Sequence, residues 1–161
     1  MKHLLFIMIV LFTFSGCIFT PPPSSQARAW DNIAVESHDP ILNLAQEHLG
    51  TRYLYGGMSP SGFDCSGFIC YVYEKGVGKK LPRTARAQST YAKIVDKEAL
   101  VPGDLLFFDT SHRGVINHSG IYLGEGKFIH ASSGKVYSVT ISTLDKGFYK
   151  RAFRWAGRVN Y

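Results

Sequence analysis

The chain has 161 residues, 45% of them apolar, 14% aromatic and 19% charged, with only three cysteines. That length suits one globular domain and excludes a multidomain architecture, while the cysteine count excludes a disulfide scaffold and the apolar content excludes a disordered chain. The excess of 18 Lys and Arg over 12 Asp and Glu gives a net charge of +6, suited to an anionic partner: nucleic acid, a lipid surface or a carboxylate-rich polymer.

Met1-Lys2-His3 precedes an apolar stretch of 11 residues, Leu4 to Phe14, interrupted once by Thr13. A helix needs about 20 apolar residues to span a bilayer, whereas export signals use about 7–15 behind a short basic start. The stretch therefore predicts an export signal over residues 1–16. Phe14-Ser15-Gly16-Cys17 resembles the bacterial lipobox, where the signal is cut and the cysteine acylated, with Phe in the first position where Leu is usual. The alternative is ordinary cleavage after Ala27-Arg28-Ala29, which lies beyond Pro21-Pro22-Pro23 and far from the apolar stretch. Position favours Cys17 as a lipid anchor to a membrane of the bacterial envelope; for a diderm the expectation is the outer membrane, facing the periplasm. Residues 17–36 are rich in Pro and Ser and read as a tether, which leaves 37–161 as the folded domain.

Within that domain, Asp39-Pro40 opens an apolar-periodic run from Ile41 to Leu49 that stops before Gly50, predicting a helix of about ten residues. Tyr53 to Phe63, with Gly56, Gly57, Pro60 and Gly62, reads as loop. Cys65 to Lys75 is apolar at most positions, with Asp64 as its cap and Gly76 as its stop, a largely buried helix. Another helix is expected over Arg83 to Tyr91. After Pro102-Gly103-Asp104 come short runs at 105–109, 118–123, 127–131, 136–141 and 153–159, which read as five strands. Helices followed by strands predict an α+β fold with a mostly antiparallel sheet.

The turn between the second and third runs decides which side chains share a face. With Gly124-Glu125-Gly126 as a three-residue loop, Leu123 pairs with Lys127, Ile121 with Ile129 and Tyr122 with Phe128. Ile121, Leu123, Ile129 and Ala131 then form an apolar face, with His118, Tyr122, Phe128 and His130 opposite. A two-residue loop would mix the faces by setting His130 against Ile121. In the preferred register His118 and His130 are diagonal neighbours about 7–8 Å apart at the backbone, close enough for their rings to meet.

Each of the three cysteines has a different context. Cys17 belongs to processing, and Cys70 sits in the apolar run Phe68 to Val72 as a small buried residue. Cys65 begins a helix, where unpaired N–H groups are expected to lower the thiol pKa and enrich the thiolate; the alternative is a structural cysteine at a helix end. A thiolate nucleophile needs an imidazole and a third group to orient it. Of the six histidines only His118 and His130 fall on predicted strands, and together with Cys65 they form a candidate triad. The same three residues could ligate zinc, but no Cys-x-x-Cys or His-Glu-x-x-His spacing supports a compact metal site. Lys79, Lys80, Arg83 and Arg86 flank Leu81-Pro82, yet an export signal and the lack of a recognisable module argue against nucleic acid.

Six segments occurring in order resemble the NlpC-type cell-wall cysteine peptidases. They are Gly50 to Gly57, Gly62-Phe63-Asp64-Cys65-Ser66-Gly67-Phe68, Leu81-Pro82-Arg83-Thr84, Pro102-Gly103-Asp104-Leu105, His118 to Gly124 and Phe128-Ile129-His130-Ala131. Residues 41–159 carry the resemblance, and the short lipoprotein layout is similar to that of small family members. The resemblance implies a papain-like core with Cys65 as nucleophile, His118 as base and His130 as its orienting partner. It implies further that Tyr53 lies beside the thiol to help bind substrate or the oxyanion, that Asp64 and Ser66 contact the peptide's amino end, and that Arg83 belongs to the groove. The activity implied is hydrolysis of an amide bond in peptidoglycan stem peptides, at a D-glutamyl-diamino acid bond or a cross-link, without metal or organic cofactor. Ser119 stands where such proteins commonly carry a small aliphatic residue, which puts local strand packing in question. The alternative functions are a non-catalytic peptidoglycan-binding or scaffolding lipoprotein and a thiol acyltransferase or amidase on related architecture.

Overall fold

A computed structural model describes residues 39–161. The export segment, Cys17, the tether and the expected domain start at residue 37 lie outside the described residues. Helix α1 (Pro40–Glu47) begins where expected, because Asp39 Oδ1 accepts a 2.8 Å bond from the Ile41 N–H and Pro40 occupies the first turn. It buries Ile41, Leu42 and Ala45. The glycine-rich segment that follows is more ordered than a loop: β1 (Met58–Ser59) and β2 (Gly62–Phe63) form a small antiparallel hairpin, and Tyr53 bridges to Phe63.

Helix α2 (Cys65–Val77) is the central element. Its N-cap is Asp64, whose Oδ1 accepts from the Gly67 N–H at 2.7 Å. Its end is Gly78 rather than Gly76, a correction of two residues. Gly78 adopts φ 69°, and the Gly78 and Lys79 N–H groups bond the carbonyls of Glu74 and Tyr73. A left-handed residue that satisfies the last carbonyls is what stops a helix, and Gly76 remains within the helical turn. Helix α3 (Ala85–Tyr91) is capped by Thr84, whose Oγ1 accepts from the Ala87 N–H.

A six-stranded sheet, antiparallel throughout, is ordered β3-β8-β4-β5-β6-β7. Its strands are β3 (Lys93–Val95), β4 (Leu105–Phe108), β5 (His118–Gly124), β6 (Lys127–Ala131), β7 (Val139–Thr143) and β8 (Phe153–Arg158). One strand more than expected is present, because β3 is a three-residue edge that only pairing with β8 makes extended. The run expected at 136–141 becomes β7 at 139–143. Tyr137 takes φ 51° and its N–H bonds the Gly134 carbonyl, so the chain turns there before it can extend. Helix α4 (Gly147–Ala152), also unexpected, is too short to show a period and has no side-chain cap.

The sheet carries apolar residues on both faces. Against one face pack α1 and α2, with Phe63, Phe68, Ile69, Val72 and Tyr73 meeting Leu105, Phe107, Ile121 and Ile129. On the other face Leu106, Phe108, Phe128 and Ala156 are covered by Ala152 and Tyr149 of α4. Ile121 pairs with Ile129 and Tyr122 with Phe128, as the face argument requires. The turn itself differs: Gly124, not Leu123, pairs with Lys127, because the register shifts between Tyr122 and Gly124. A bulge at the end of β5 takes up the extra residue and leaves the faces of both strands intact.

Candidate active site

The N-terminus of α2 meets the start of β5 at the floor of a cleft of about 500 Å³, lined by Tyr53, Asp64, Cys65, Ser66, Arg83 and Asn117 among others. Cys65 Sγ lies 4.0 Å from the carbonyl oxygen of Asn117, the residue before His118. The loop before β5 is built on Asp109, which is buried and accepts from the N–H groups of Arg113 and Gly114, the Ser111 hydroxyl and Arg154. Although burial opposes its charge, these donors hold its carboxyl down at about 2.

His118 and His130 share the sheet face expected for them, and His118 Nε2 sits 2.9 Å from His130 Nδ1. His130 Nε2 in turn sits 3.0 Å from Ser142 Oγ on β7. Gly120 permits this approach, since a Cβ there would run into the Phe128 ring and crowd His130 Cβ. Phe108, Phe128 and Tyr149 surround the two imidazoles, with the Tyr149 ring 5.0 Å from that of His130 and its hydroxyl bonded to Ser132. Tyr149 and Ser142 leave no signal in the sequence, where a tyrosine in a short helix and a serine in an edge strand carry no pattern.

Burial governs the ionisation of the site. His118 is 7% exposed and His130 fully buried. Desolvation depresses His118 to about 4, and desolvation together with its neighbour His118 depresses His130 well below the ordinary imidazole value. Burial, then the Asp64 charge, pushes the Cys65 thiol up, while N–H groups of Ser119, Ser66 and Cys65 itself pull it down. The helix-start effect expected from sequence is thus present but outweighed by burial, which disfavours the charged form of the thiol and of the imidazoles alike. Burial, followed by Cys65 and Asp64, raises the Tyr53 hydroxyl to about 12, so it is a proton donor at neutral pH.

The buried histidines predict an acid-sensitive fold. Unfolded, His118 titrates near 6.5; folded, near 4, so between those values the unfolded chain binds more protons. Stability is full above pH 6.5 and falls as the pH is lowered towards 4, by on the order of 3 kcal/mol from His118 alone. Urea midpoints at pH 7.5 and pH 4.5 check this, and His118→Gln should flatten the difference.

Asp64 and Arg83 form a bidentate ion pair, with nitrogen to oxygen distances of 2.6 and 3.0 Å. Asp64 Oδ2 also accepts from the Gly56 N–H at 3.0 Å, and Ser66 Oγ accepts from Arg83 at 3.0 Å. Both Asp64 oxygens are therefore engaged inside the protein, and the guanidinium of Arg83 is the charge this trio presents to the cleft. Cys70 is a free thiol, held against the carbonyls of Leu81 and Pro82 and the Gln88 amide. Gln88 also resolves the question raised by Ser119: the buried Ser119 hydroxyl donates to Gln88 Oε1 at 3.2 Å, while Gln88 Nε2 donates to the carbonyls of Ser66 and Pro82. Ser119→Ala should leave that oxygen without its donor and lower stability by about 1 kcal/mol, measurable by urea denaturation.

A cysteine at a helix start, beside a strand that carries the first of two bonded histidines, places the molecule among papain-like α+β proteins. The NlpC/P60 family model matches residues 50–158. The probable endopeptidase NlpC of Escherichia coli (strain K12) is 36% identical over 153 residues, covering 95% of this chain and 97% of that protein. Gamma-DL-glutamyl hydrolase of Bacillus subtilis (strain 168) is 39% identical over 112 residues, covering 69% of this chain but only 27% of the relative. The solved NlpC/p60 domain of peptidoglycan hydrolase SagA superposes with a TM-score of 0.65 at 32% identity, covering 74% of this chain and 97% of that chain. The chain belongs to the NlpC/P60 family of cell-wall peptidases.

Proposed function

We propose that the protein is a peptidoglycan endopeptidase that cuts an amide bond of the stem peptide, at a D-glutamyl-diamino acid bond or a cross-link, through Cys65, His118 and His130. The observation that carries the reading is the bonded pair of buried imidazoles behind a cleft with Cys65 in its floor. The relatives' names, an endopeptidase, a glutamyl hydrolase and a peptidoglycan hydrolase, support the substrate class.

With His118 Nε2 committed to His130, His118 Nδ1 is the nitrogen left for the thiol. Substrate approach brings the scissile carbonyl to Sγ, and the thiol proton passes to Nδ1 as the S–C bond forms. Burial disfavours the charged form of both groups, which suits proton transfer at the moment of attack. The oxyanion is met by N–H groups at the start of α2 and by the Tyr53 hydroxyl, which remains protonated at neutral pH. Imidazolium His118 then protonates the leaving amine, and water releases the acyl group from sulfur. Arg83, fixed by Asp64 and Ser66, offers a cation to a carboxylate of the peptide. In this reading Asp64 acts through Arg83, and Tyr53, Ser66 and Arg83 line the substrate's path.

We infer likewise that residues 1–16 are an export signal, that Cys17 carries the lipid anchor, and that 17–36 tether the domain at 37–161 to the envelope. The match with the Escherichia coli relative, which spans 95% of the chain and so runs into this segment, supports that layout. The test is mass spectrometry of fragments released from purified peptidoglycan by the full chain. New stem-peptide cleavage products establish the activity and name the bond; intact wall from several bacterial types turns the reading to a wall-binding lipoprotein.

A further inference from the structure

Beyond the three proposed catalytic residues, the second imidazole has a partner of its own. His130 pairs across the sheet with Thr140, and Ser142, two residues further along β7, pairs with Phe128. Paired residues share a face, so Ser142 reaches His130 diagonally and places Oγ 3.0 Å from Nε2. Three aromatic rings also pack against the pair: Phe108, Phe128 and Tyr149.

A neutral imidazole carries one ring proton, and the 2.9 Å contact between His118 Nε2 and His130 Nδ1 holds one hydrogen. Two arrangements satisfy it. In the first, His118 donates from Nε2, leaving its Nδ1 bare to receive a proton; His130 accepts on Nδ1 and carries its own proton on Nε2, directed at Ser142 Oγ. In the second, His130 donates from Nδ1 and His118 carries its proton on Nδ1, where it would block transfer from the thiol. Once His118 becomes imidazolium both its nitrogens bear protons, so His130 must accept on Nδ1 and must direct Nε2–H at Ser142. Only the first arrangement passes into that state by gain of the thiol proton alone, with neither ring proton moved.

We propose that Ser142 is a positioning residue whose Oγ accepts the His130 Nε2–H in the arrangement that leaves His118 Nδ1 free to act as base, and so supports that tautomer pair when His118 takes up the thiol proton. This rests on the peptidase reading above. The proton taken from Cys65 stays on His118 until it is passed to the leaving amine; His130 remains neutral throughout, and Ser142 gains no proton. In a triad ending in a carboxylate the charge bonds the base directly; here His130 holds that place, and the Ser142 hydroxyl supports His130 from behind.

The experiment is 15N NMR of histidine-labelled full chain in detergent, together with peptidoglycan cleavage kinetics, for the native chain, Ser142→Ala and Ser142→Thr. The native spectrum should show His130 protonated on Nε2 and His118 on Nε2. Ser142→Ala leaves a buried N–H without its acceptor as imidazolium forms, so kcat should fall about tenfold with KM unchanged. The acid limb of kcat/KM should move to lower pH even as the rate falls, since His118, beside Cys65, His130 and Tyr149, then holds its extra proton less well; mere loss of folded protein would not move it. Ser142→Thr, which keeps the hydroxyl, should restore both rate and limb. A native His130 protonated on Nδ1 overturns the proposal, as does a Ser142→Ala variant with unchanged tautomers and rate. Should the native chain cleave no wall peptide, the peptidase reading fails, and the native 15N spectrum alone decides the role of Ser142.

Discussion

Cys65→Ala is expected to lower the rate of wall-peptide cleavage by at least about a thousandfold, equivalent to about 4 kcal/mol of barrier. Without sulfur no thioester forms, and the neighbouring imidazoles have no proton to take; what remains is the binding and polarisation supplied by the cleft. His118→Gln should be as damaging, because removing either partner of a unit that acts together costs nearly the whole effect. Both variants should still bind wall fragments, since Tyr53, Arg83 and Asp64 keep their contacts. Fragment release, followed by mass spectrometry alongside a pulldown on insoluble peptidoglycan, separates the two functions. Full cleavage by Cys65→Ala would remove the nucleophile from the mechanism, and full binding without cleavage in the native chain would favour a wall-binding role.

Gly67→Ala is expected to be the most damaging small change to the fold, lowering stability by about 3 kcal/mol or more. A methyl group on Gly67 would strike the carbonyl oxygen of Gly57 and crowd Asp64 Oδ1 and Met58 Cγ. Two of those obstacles do not move freely: one is backbone, and the other is the N-cap carboxylate held by the Gly67 N–H, the Gly56 N–H and Arg83. The glycine-rich segment would have to lift from α2, carrying Tyr53 and the start of the helix with it. Activity should therefore fall further than the folded fraction does, whereas Ser119→Ala should lose stability alone. Urea unfolding paired with cleavage rates checks both.

The same segment shows where reading the chain residue by residue falls short. Gly56, Gly57, Pro60 and Gly62 announce a turn-rich stretch, but that it forms a hairpin closing over α2 follows only from the contact between Gly57 and Gly67. Arg83 reads as one of four basic residues near Leu81-Pro82; that it closes a bidentate pair with Asp64, 19 residues earlier, is a matter of distance in space. The thiol offers a third instance. Its place at a helix start is local and legible, while the burial that outweighs the helix N–H groups is a property of the assembled cleft.

What the amino-acid order determined by itself is whatever short-range rules govern. Asp39-Pro40 and the Asp64 cap placed the starts of α1 and α2, and the period of two along 118–131 put His118 and His130 on one face. The six motifs in order were enough to indicate the family. The tertiary structure decided the rest: that β3 is a strand because β8 offers it a partner, that α4 forms over an aromatic face, and that Ser142 and Tyr149 meet the histidines. Those features depend on pairings between residues far apart in the chain and on desolvation, and neither leaves a periodic trace in the local sequence.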